Sequence, residues 1–138
     1  MENVVVDSNI IISYLVESDA FHQSSQPYIA GLENGEYTFH LPMLVPVEVT
    51  AVISRVDGIP NRLAILNGWQ QTLLDWERDG KIILYPLDRG RMDNAVNIAQ
   101  IHRLRGADSV IASLAEELHA PLKTFDMEVL ARFQRASV

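Results

Sequence analysis

Four acidic residues stand where an α/β protein can build a site. Asp7 directly follows three valines, and Asp126 follows a second short apolar segment. Asp108 opens a predicted helix after a glycine-containing turn, and Glu48 lies at the edge of the apolar stripe of another helix. Carboxylates are the ligands that Mg²⁺ and Mn²⁺ prefer, and the absence of cysteine excludes a thiolate zinc site. If these side chains converge, they predict a site for a hard divalent cation.

Each of these acids also has a purely structural interpretation. Asp is a favoured N-cap residue, because its side chain accepts backbone N–H bonds at the start of a helix. Capping does not prevent metal binding, since a carboxylate has two oxygens with several lone pairs. For Glu48 the corresponding alternative is a solvated surface residue at the rim of the helix stripe. The sequence alone leaves both alternatives open.

The distribution of charge fits either a solvated acidic face or, if the carboxylates converge, a surface that binds a metal ion or accepts an arginine. Seven acidic residues and no Lys or Arg precede Arg55, so the net charge of −7 resides in the first 54 positions. Four converging carboxylates without a partner would repel one another by up to about 20 kcal/mol, if each pair lies about 5 Å apart at a dielectric of about 20. That exceeds the stability of a typical domain. Such a cluster must therefore bind cations, hold protons, or accept an Arg or Lys of a partner.

The pattern of apolar residues predicts alternating strands and helices. The predicted strands cover residues 4–6, 38–41, 82–85 and 121–125, and the predicted helices cover 10–16, 20–32, 46–56, 61–78, 89–104, 108–119 and 127–134. This alternation is typical of an α/β sandwich with a mostly parallel central sheet, and the length fits a single domain over residues 1–138. The carboxyl ends of parallel strands meet at one sheet edge, where ligands bind. Asp7 and Asp126 are expected there if their strands are neighbours.

Other classes of protein lack their motifs in this sequence. There is no glycine-rich phosphate loop and no Gly-x-Ser-x-Gly elbow, and the four histidines are scattered. No segment approaches the roughly 18 apolar residues that span a bilayer, and the first residues do not resemble a secretory signal. We therefore expect a cytoplasmic protein with no membrane association.

The segments around the four acids resemble the four acidic motifs of the PIN-domain nucleases. They read VVDSNII at 5–11, PVEV at 46–49, RGADSVIA at 105–112 and APLKTFD at 120–126. Their order and spacing are similar to those of the single-domain VapC-type toxins of prokaryotic toxin–antitoxin pairs. The fold that this resemblance implies is a PIN-like α/β/α sandwich, with a mostly parallel central sheet flanked by helices.

The resemblance also implies an activity, a cofactor and partners. It implies a Mg²⁺- or Mn²⁺-dependent endoribonuclease that hydrolyses RNA phosphodiester bonds and leaves a 5′-phosphate. A cognate antitoxin protein and a homodimer are the expected partners. Asn9 and Thr124 receive supporting hydrogen-bond roles. The catalytic and metal-binding roles fall to four acids: Asp7, Glu48, Asp108 and Asp126.

Basic residues near the third motif are candidates for RNA contact. Arg103 and Arg105 precede Asp108, and Arg89 and Arg91 open the preceding helix, so they can line one side of an acidic pit and contact phosphates. The alternative is ordinary helix-terminal charge. A competing function is a non-enzymatic regulatory module, whose acidic pocket captures an Arg-bearing partner peptide. Metal-dependent turnover separates these two functions.

Overall fold

Val4, Val5 and Val6 lie on the central strand of a five-stranded parallel sheet and are completely buried. Side chains alternate between the two faces of a strand, so their burial shows that helices cover both faces of the sheet. The structure, a computed structural model, describes all 138 residues. No helix is both long and apolar enough to cross a bilayer.

Strands and helices alternate along most of the chain. The strands are β1 (Glu2–Val6), β2 (Tyr37–Pro42), β3 (Ile82–Tyr85), β4 (Leu122–Lys123) and β5 (Ala136–Ser137). The helices are α1 (Ser8–Leu15), α2 (His22–Glu33), α3 (Leu44–Arg55), α4 (Arg62–Arg78), α5 (Arg89–His102), α6 (Gly106–Leu118) and α7 (Met127–Arg132). All seven predicted helices and all four predicted strands are present, with shifted ends.

The order of the strands places the first and fourth motifs side by side. The sheet has the order β3-β2-β1-β4-β5, and every neighbouring pair is parallel. The chain runs outward from β1 to β3 and then returns to the other side of β1. The gap between β1 and β4 is therefore the point where the strand order reverses, and in open α/β sheets ligands bind beyond the carboxyl ends of the strands at such a point. Asp7 follows β1 there, and Asp126 closely follows β4.

Two groups of helices sandwich the sheet. Helices α1 to α4 pack on one another and on β2 and β3, whereas α5 packs on α6, which lies against β1, β2 and β4. One continuous apolar core fills both interfaces. The predicted α/β/α sandwich is confirmed.

The largest differences from the predicted elements lie near the third and fourth motifs. The strand predicted over 121–125 contains only Leu122 and Lys123, and the sequence did not indicate β5, which is two residues long. Helix α5 ends at His102 because Arg103 adopts a left-handed conformation, with φ of 58°. Helix α6 begins at Gly106, so Asp108 lies inside its first turn.

Candidate active site

An acidic pocket opens at the carboxyl edge of the sheet. Its volume is about 280 Å³, and water occupies about 30 Å³ per molecule, so it has room for an ion and several waters. The residue after strand β1, helices α1, α3 and α6 with the residue before α6, and the residue before α7 all contribute to it. The lining residues are Asp7, Ser8, Asn9, Glu48, Arg105, Ala107, Asp108 and Asp126. All four acids named from the sequence therefore lie around one pocket.

Asp7 is the most deeply buried of these acids, with an exposed fraction of 5%. Its Oδ1 accepts the backbone N–H of Ser8 at 2.7 Å, which makes it the N-cap of α1. Its Oδ2 accepts the hydroxyl of Thr124 at 2.9 Å. Burial raises the pKa of Asp7, and the charges of Asp108 and Asp126 raise it further, against the lowering effect of the Thr124 bond. The capping alternative is thus correct for Asp7, yet it leaves the carboxylate facing the pocket.

Asn9 and Thr124 connect the first motif to the fourth. The amide of Asn9 donates to Thr124 Oγ1 at 3.2 Å and approaches Asp7 Oδ2 at 3.5 Å, and its Oδ1 accepts the backbone N–H of Phe125 at 3.1 Å. Thr124 Oγ1 also accepts the backbone N–H of Asp126 at 3.0 Å. These bonds span the junction of β1 and β4, so they fix the two aspartates relative to each other.

Asp126 and Asp108 share a single arginine. Asp126 is the N-cap of α7, with Oδ1 accepting the N–H of Glu128 at 2.9 Å, while its Oδ2 accepts Nη2 of Arg105 at 2.9 Å. Arg105 Nε donates to Asp108 Oδ2 at 3.2 Å. Burial raises the pKa of Asp108, although the Arg105 guanidinium opposes that shift. Asp108 lies in the first turn of α6 and not at its cap, so the capping interpretation is wrong for this residue.

Glu48 carries the one carboxylate oxygen in the chain that is buried without a hydrogen-bond partner, Oε1. Burial raises the pKa of Glu48, as do the charges of Asp7 and Asp108, against the lowering effects of the Ser8 hydroxyl and of the Arg105 charge. A solvated surface residue does not have an oxygen in this state, so that alternative is wrong. The apolar positions Val45 and Val49, both fully buried, orient this side of α3 toward the sheet and carry Glu48 into the pocket.

The donor set fits a divalent cation, although the side chains are not closed around one. No three Asp, Glu or His side chains converge closely enough to hold a metal ion as they stand. The acids of the pocket nevertheless offer carboxylate oxygens, which are hard ligands, and Oε1 of Glu48 lacks a hydrogen-bond partner. Buried carboxylates require cations or protons, because an uncompensated buried charge is costly. Mg²⁺ or Mn²⁺ supplies that compensation with ligands of this type.

The candidate RNA-binding arginines do not all reach the pocket. Arg105 lines it, whereas Arg103 does not. Arg89 pairs with Asp93, and Arg91 forms a fork with Glu117, so neither lies along the pit as the sequence suggested. Both open α5, whose first turn is held near β3 by the stacking of Arg91 on Tyr85 and its bond to the carbonyl of Pro86. The interpretation as helix-terminal charge fits them better.

Sequence reasoning missed two residues of this site. Ser8 lines the pocket, and its hydroxyl lies 3.4 Å from Asp7 Oδ1. Glu128 lies 4.0 Å from Arg105 Nε, so the guanidinium is close to a third carboxylate. Glu128 occupies the first turn of α7, two residues after Asp126, where an acidic residue is ordinary helix stabilisation and so gives no distinct signal of a site.

Comparison with known proteins identifies the architecture. The PIN domain family model matches residues 4–136. No curated protein matches the sequence. Among solved structures, the chain is similar to Mycobacterium tuberculosis VapC20, a sarcin-ricin loop cleaving toxin, at 12% identity and a TM-score of 0.73, covering 96% of this chain and 97% of that one.

Two further structures show the same fold. A toxin–antitoxin complex from Klebsiella pneumoniae matches at 15% identity and a TM-score of 0.68, covering 98% of this chain and 96% of that one. FitAcB from Neisseria gonorrhoeae matches at 16% identity and a TM-score of 0.67, covering 96% and 97% of the two chains. At these identities the similarity concerns the fold.

Proposed function

This chain belongs to the PIN-domain family, and on that premise we propose that it is a Mg²⁺- or Mn²⁺-dependent endoribonuclease. The observation that carries the proposal is the meeting of four carboxylates from separate segments in one pocket, with a buried Glu48 oxygen that has no partner. The pocket also lies where the strand order reverses, which is the usual ligand site of such sheets.

We further propose that the protein is the toxin of a toxin–antitoxin pair. Structures with the same fold include a toxin–antitoxin complex and a toxin that cleaves the sarcin-ricin loop. These relatives support RNA as the substrate and an antitoxin as a protein partner. The proposal includes a single catalytic domain over residues 1–138, a homodimer and a cytoplasmic location.

The proposed chemistry is hydrolysis at phosphorus. Asp7, Glu48, Asp108 and Asp126 would hold the cation, which when bound activates water and stabilises the charge that develops on the phosphate and the leaving oxygen. The attacking water oxygen forms a bond to phosphorus, the P–O3′ bond breaks, and the 3′ oxygen takes up a proton. The products are a 5′-phosphate and a 3′-hydroxyl.

The surrounding side chains hold the acids in place for this reaction. Thr124 and Asn9 fix the Asp7 carboxylate from one side, and Ser8 contacts its other oxygen. Arg105 stands at the mouth of the pocket with a side chain that is 68% exposed, where a guanidinium can bind a phosphate oxygen. We therefore propose Arg105 as an RNA contact, with exposed Arg103 as a second contact outside the pocket.

A direct test is cleavage of a mixed pool of tRNA and structured RNA by the antitoxin-free protein. The reaction is run with Mn²⁺ and with a chelator, beside the variant Asp108→Asn. We expect cleavage that requires the metal, leaves 5′-phosphate ends and disappears in the variant. Metal-independent cleavage, or full activity of Asp108→Asn, would overturn the proposal.

A non-enzymatic module that captures an Arg-bearing peptide is the second candidate. One observation favours it: the pocket already accepts the Arg105 guanidinium between Asp108 and Asp126. Such a module would bind a basic peptide and would show no turnover with either metal. Absence of cleavage in a folded sample that binds an arginine peptide would favour this function.

A further inference from the structure

Arg105 is the only basic residue that lines the acidic pocket. Its Nε lies 3.2 Å from Asp108 and its Nη2 lies 2.9 Å from Asp126, so one guanidinium bridges two of the proposed cation ligands. Glu128 completes the negative surroundings at 4.0 Å. This arrangement differs from a surface ion pair, because one of the bridged carboxylates, Asp108, is only 12% exposed.

The guanidinium neutralises only one side of the pocket. Asp108 and Asp126 both contact it, whereas Oε1 of Glu48 has no partner and Asp7 is held by neutral donors. An internal cation is therefore present, but it does not compensate all four acids. Two of the four acids remain available to a second cation.

The arginine side chain is also placed so that it can leave. Arg105 is the N-cap residue of α6, and its backbone carbonyl accepts the N–H of Ser109 at 2.8 Å, a bond that does not involve the side chain. Its side chain makes no capping bond and is 68% exposed. Rotation of the guanidinium out of the pocket would thus leave the start of the helix intact.

We propose that Arg105 is a built-in counter-ion that competes with the divalent cation for Asp108 and Asp126. Binding of the cation displaces the guanidinium to the rim of the pocket, where it becomes available to a phosphate oxygen of the substrate. The inference rests on the proposed cation site, and it assigns Arg105 a positioning role in addition to RNA contact. It links loading of the cation to exposure of a phosphate-binding group.

The direction of the effect follows from charge. A guanidinium near a divalent ion repels it and must surrender two hydrogen bonds when the ion arrives, so the arginine weakens cation binding. Removing its charge is expected to tighten binding by about tenfold, or about 1.4 kcal/mol, which is a modest value for the loss of two ion pairs at an exposed position. A lysine retains the charge, although it lacks the planar fork of arginine.

The test is calorimetric titration of Mn²⁺ into the RNA-free protein. We expect Arg105→Gln to bind Mn²⁺ about tenfold more tightly than the unmodified chain, and Arg105→Lys to remain close to it. Arg89→Gln is the matched control, because Arg89 is also an exposed arginine that pairs with an acid, Asp93, but lies outside the pocket. Its Mn²⁺ affinity should not change.

Thermal melting supplies a second measurement that does not depend on activity. In chelator, Arg105→Gln should melt at a lower temperature than the unmodified chain, because the acids lose their internal cation. Saturating Mn²⁺ should raise its melting temperature by more than it raises that of the unmodified chain. A merely structural arginine would lower stability equally in both conditions.

The outcomes separate this inference from the proposed function. Equal or weaker Mn²⁺ binding by Arg105→Gln, in a chain that does bind Mn²⁺, overturns the competition while the cation site stands. Failure of the unmodified chain and both Arg105 variants to bind Mn²⁺ overturns the cation site itself, and the inference with it. Tighter Mn²⁺ binding by Arg105→Gln, but not by Arg105→Lys, would support both the cation site and the competition by Arg105.

Discussion

The residue whose environment demands most explanation is Glu48. Asp7 has four donor contacts and Asp126 is both a helix cap and an arginine partner, whereas Oε1 of Glu48 is buried with no hydrogen bond. Three neighbouring acids, Asp7, Glu48 and Asp108, have pKa values raised first by burial. Groups with perturbed pKa values in one pocket are typical of functional sites. The charge of Glu48 therefore lowers the stability of the cation-free protein, whereas the proposed cation site requires that charge.

Glu48→Gln is expected to stabilise the cation-free protein. The substitution keeps the shape of the side chain, removes a charge that faces two other acids, and supplies an amide that can donate to them. The gain in free energy of unfolding should be about 1 kcal/mol, the low end of the range for an unsatisfied buried group, because the pocket is open to solvent. Urea unfolding at pH 7 in chelator measures it, and a loss of stability would contradict the interpretation of this oxygen.

The cation-free protein should lose stability as the pH rises above the ordinary carboxyl range. The folded pKa values of Asp7, Glu48 and Asp108 lie above their ordinary values of 3.8 and 4.5, so the folded state holds more protons than the unfolded state. Their contribution is complete below those ordinary values and disappears as the pH rises through the raised ones. Urea unfolding in chelator between about pH 4 and pH 8 measures this slope.

Mn²⁺ should reverse that loss at neutral pH, because it replaces the protons as the compensating charge. The variant Asp108→Asn should show a shallower slope in chelator, since one of the repelling groups is gone. A stability profile that is identical in Asp108→Asn and indifferent to millimolar Mn²⁺ would show that these carboxylates do not form a coupled cluster.

At the scale of elements, sequence patterns predicted the order of strands and helices but not the geometry that creates the site. The β-branched run 4–6 identifies β1, and the Asn-Gly and Asp-Gly turns follow the ends of α2, α3 and α4. The residues of β4 and β5 are too few for a periodicity, since each strand has two residues. Their pairing depends on the sheet, as in the bond from Thr124 N–H to the carbonyl of Ser137 at 3.0 Å.

The sequence predicted the candidate site to about the same extent as it predicted the order of strands and helices. Acids after strands indicated one sheet edge, and the edge of an apolar stripe indicated Glu48. The capture of Asp108 and Asp126 by Arg105 depends on where α6 begins, and a helix end is poorly determined by local preference. The four acids could therefore be identified from the sequence, whereas the pairing of Arg105 with Asp108 and Asp126 is visible only in the structure.

Three strands are joined on one face of the sheet by His40. Its Nε2 donates to Asn3 Oδ1 at 2.9 Å on β1, and its Nδ1 accepts the hydroxyl of Tyr85 at 2.7 Å on β3. In the neutral imidazole, each ring nitrogen therefore has one hydrogen-bond partner. Burial lowers the pKa of His40 below its ordinary value of 6.5. Protonation of His40 would make Nδ1 a donor as well, and it would then face the Tyr85 hydroxyl, which also donates there. Protonation is therefore unfavourable in the folded state.

The contribution of His40 to stability should therefore be present above about pH 6.5 and decline as the pH falls through its lowered pKa. This slope is opposite in sign to that of the pocket carboxylates, so it is measured as a difference between proteins. The free energy of unfolding of the unmodified chain minus that of His40→Gln should decrease from pH 7 to pH 5. A difference that stays constant over this range would contradict the role given to the neutral ring.

At the scale of the whole molecule, the charge is strongly asymmetric. All of the net negative charge of −7 resides in the first 54 residues, which build β1, β2 and helices α1 to α3. Several arginines of the later part of the chain are already paired with acids: Arg89, Arg91, Arg132 and Arg135. RNA is therefore expected to approach from the side of α5 and α6, where Arg103 and Arg105 stand.

Arg103→Gln should weaken RNA binding without affecting the pocket. Arg103 is exposed, and its backbone carbonyl, not its side chain, is held by Arg132 at 2.7 Å. Removal of one phosphate contact should reduce the dependence of log K on log salt by about one unit. Binding of unfractionated tRNA in chelator at several salt concentrations measures this, with Arg78→Gln as the control, because Arg78 is an exposed arginine at the end of α4, in the other group of helices. An unchanged salt dependence in Arg103→Gln would show that RNA follows another surface.

The most direct test of the proposed cation-dependent ribonuclease site compares RNA cleavage by the unmodified chain, Glu48→Gln and Glu36→Gln in Mn²⁺, with analysis of the product ends. Glu36 is an exposed acid of the same charged segment that lies outside the pocket, so Glu36→Gln controls for net charge. We expect 5′-phosphate products from the unmodified chain and Glu36→Gln, and a loss of at least about 100-fold in Glu48→Gln despite its higher stability. Cleavage by Glu48→Gln at the rate of the unmodified chain would contradict the proposed site.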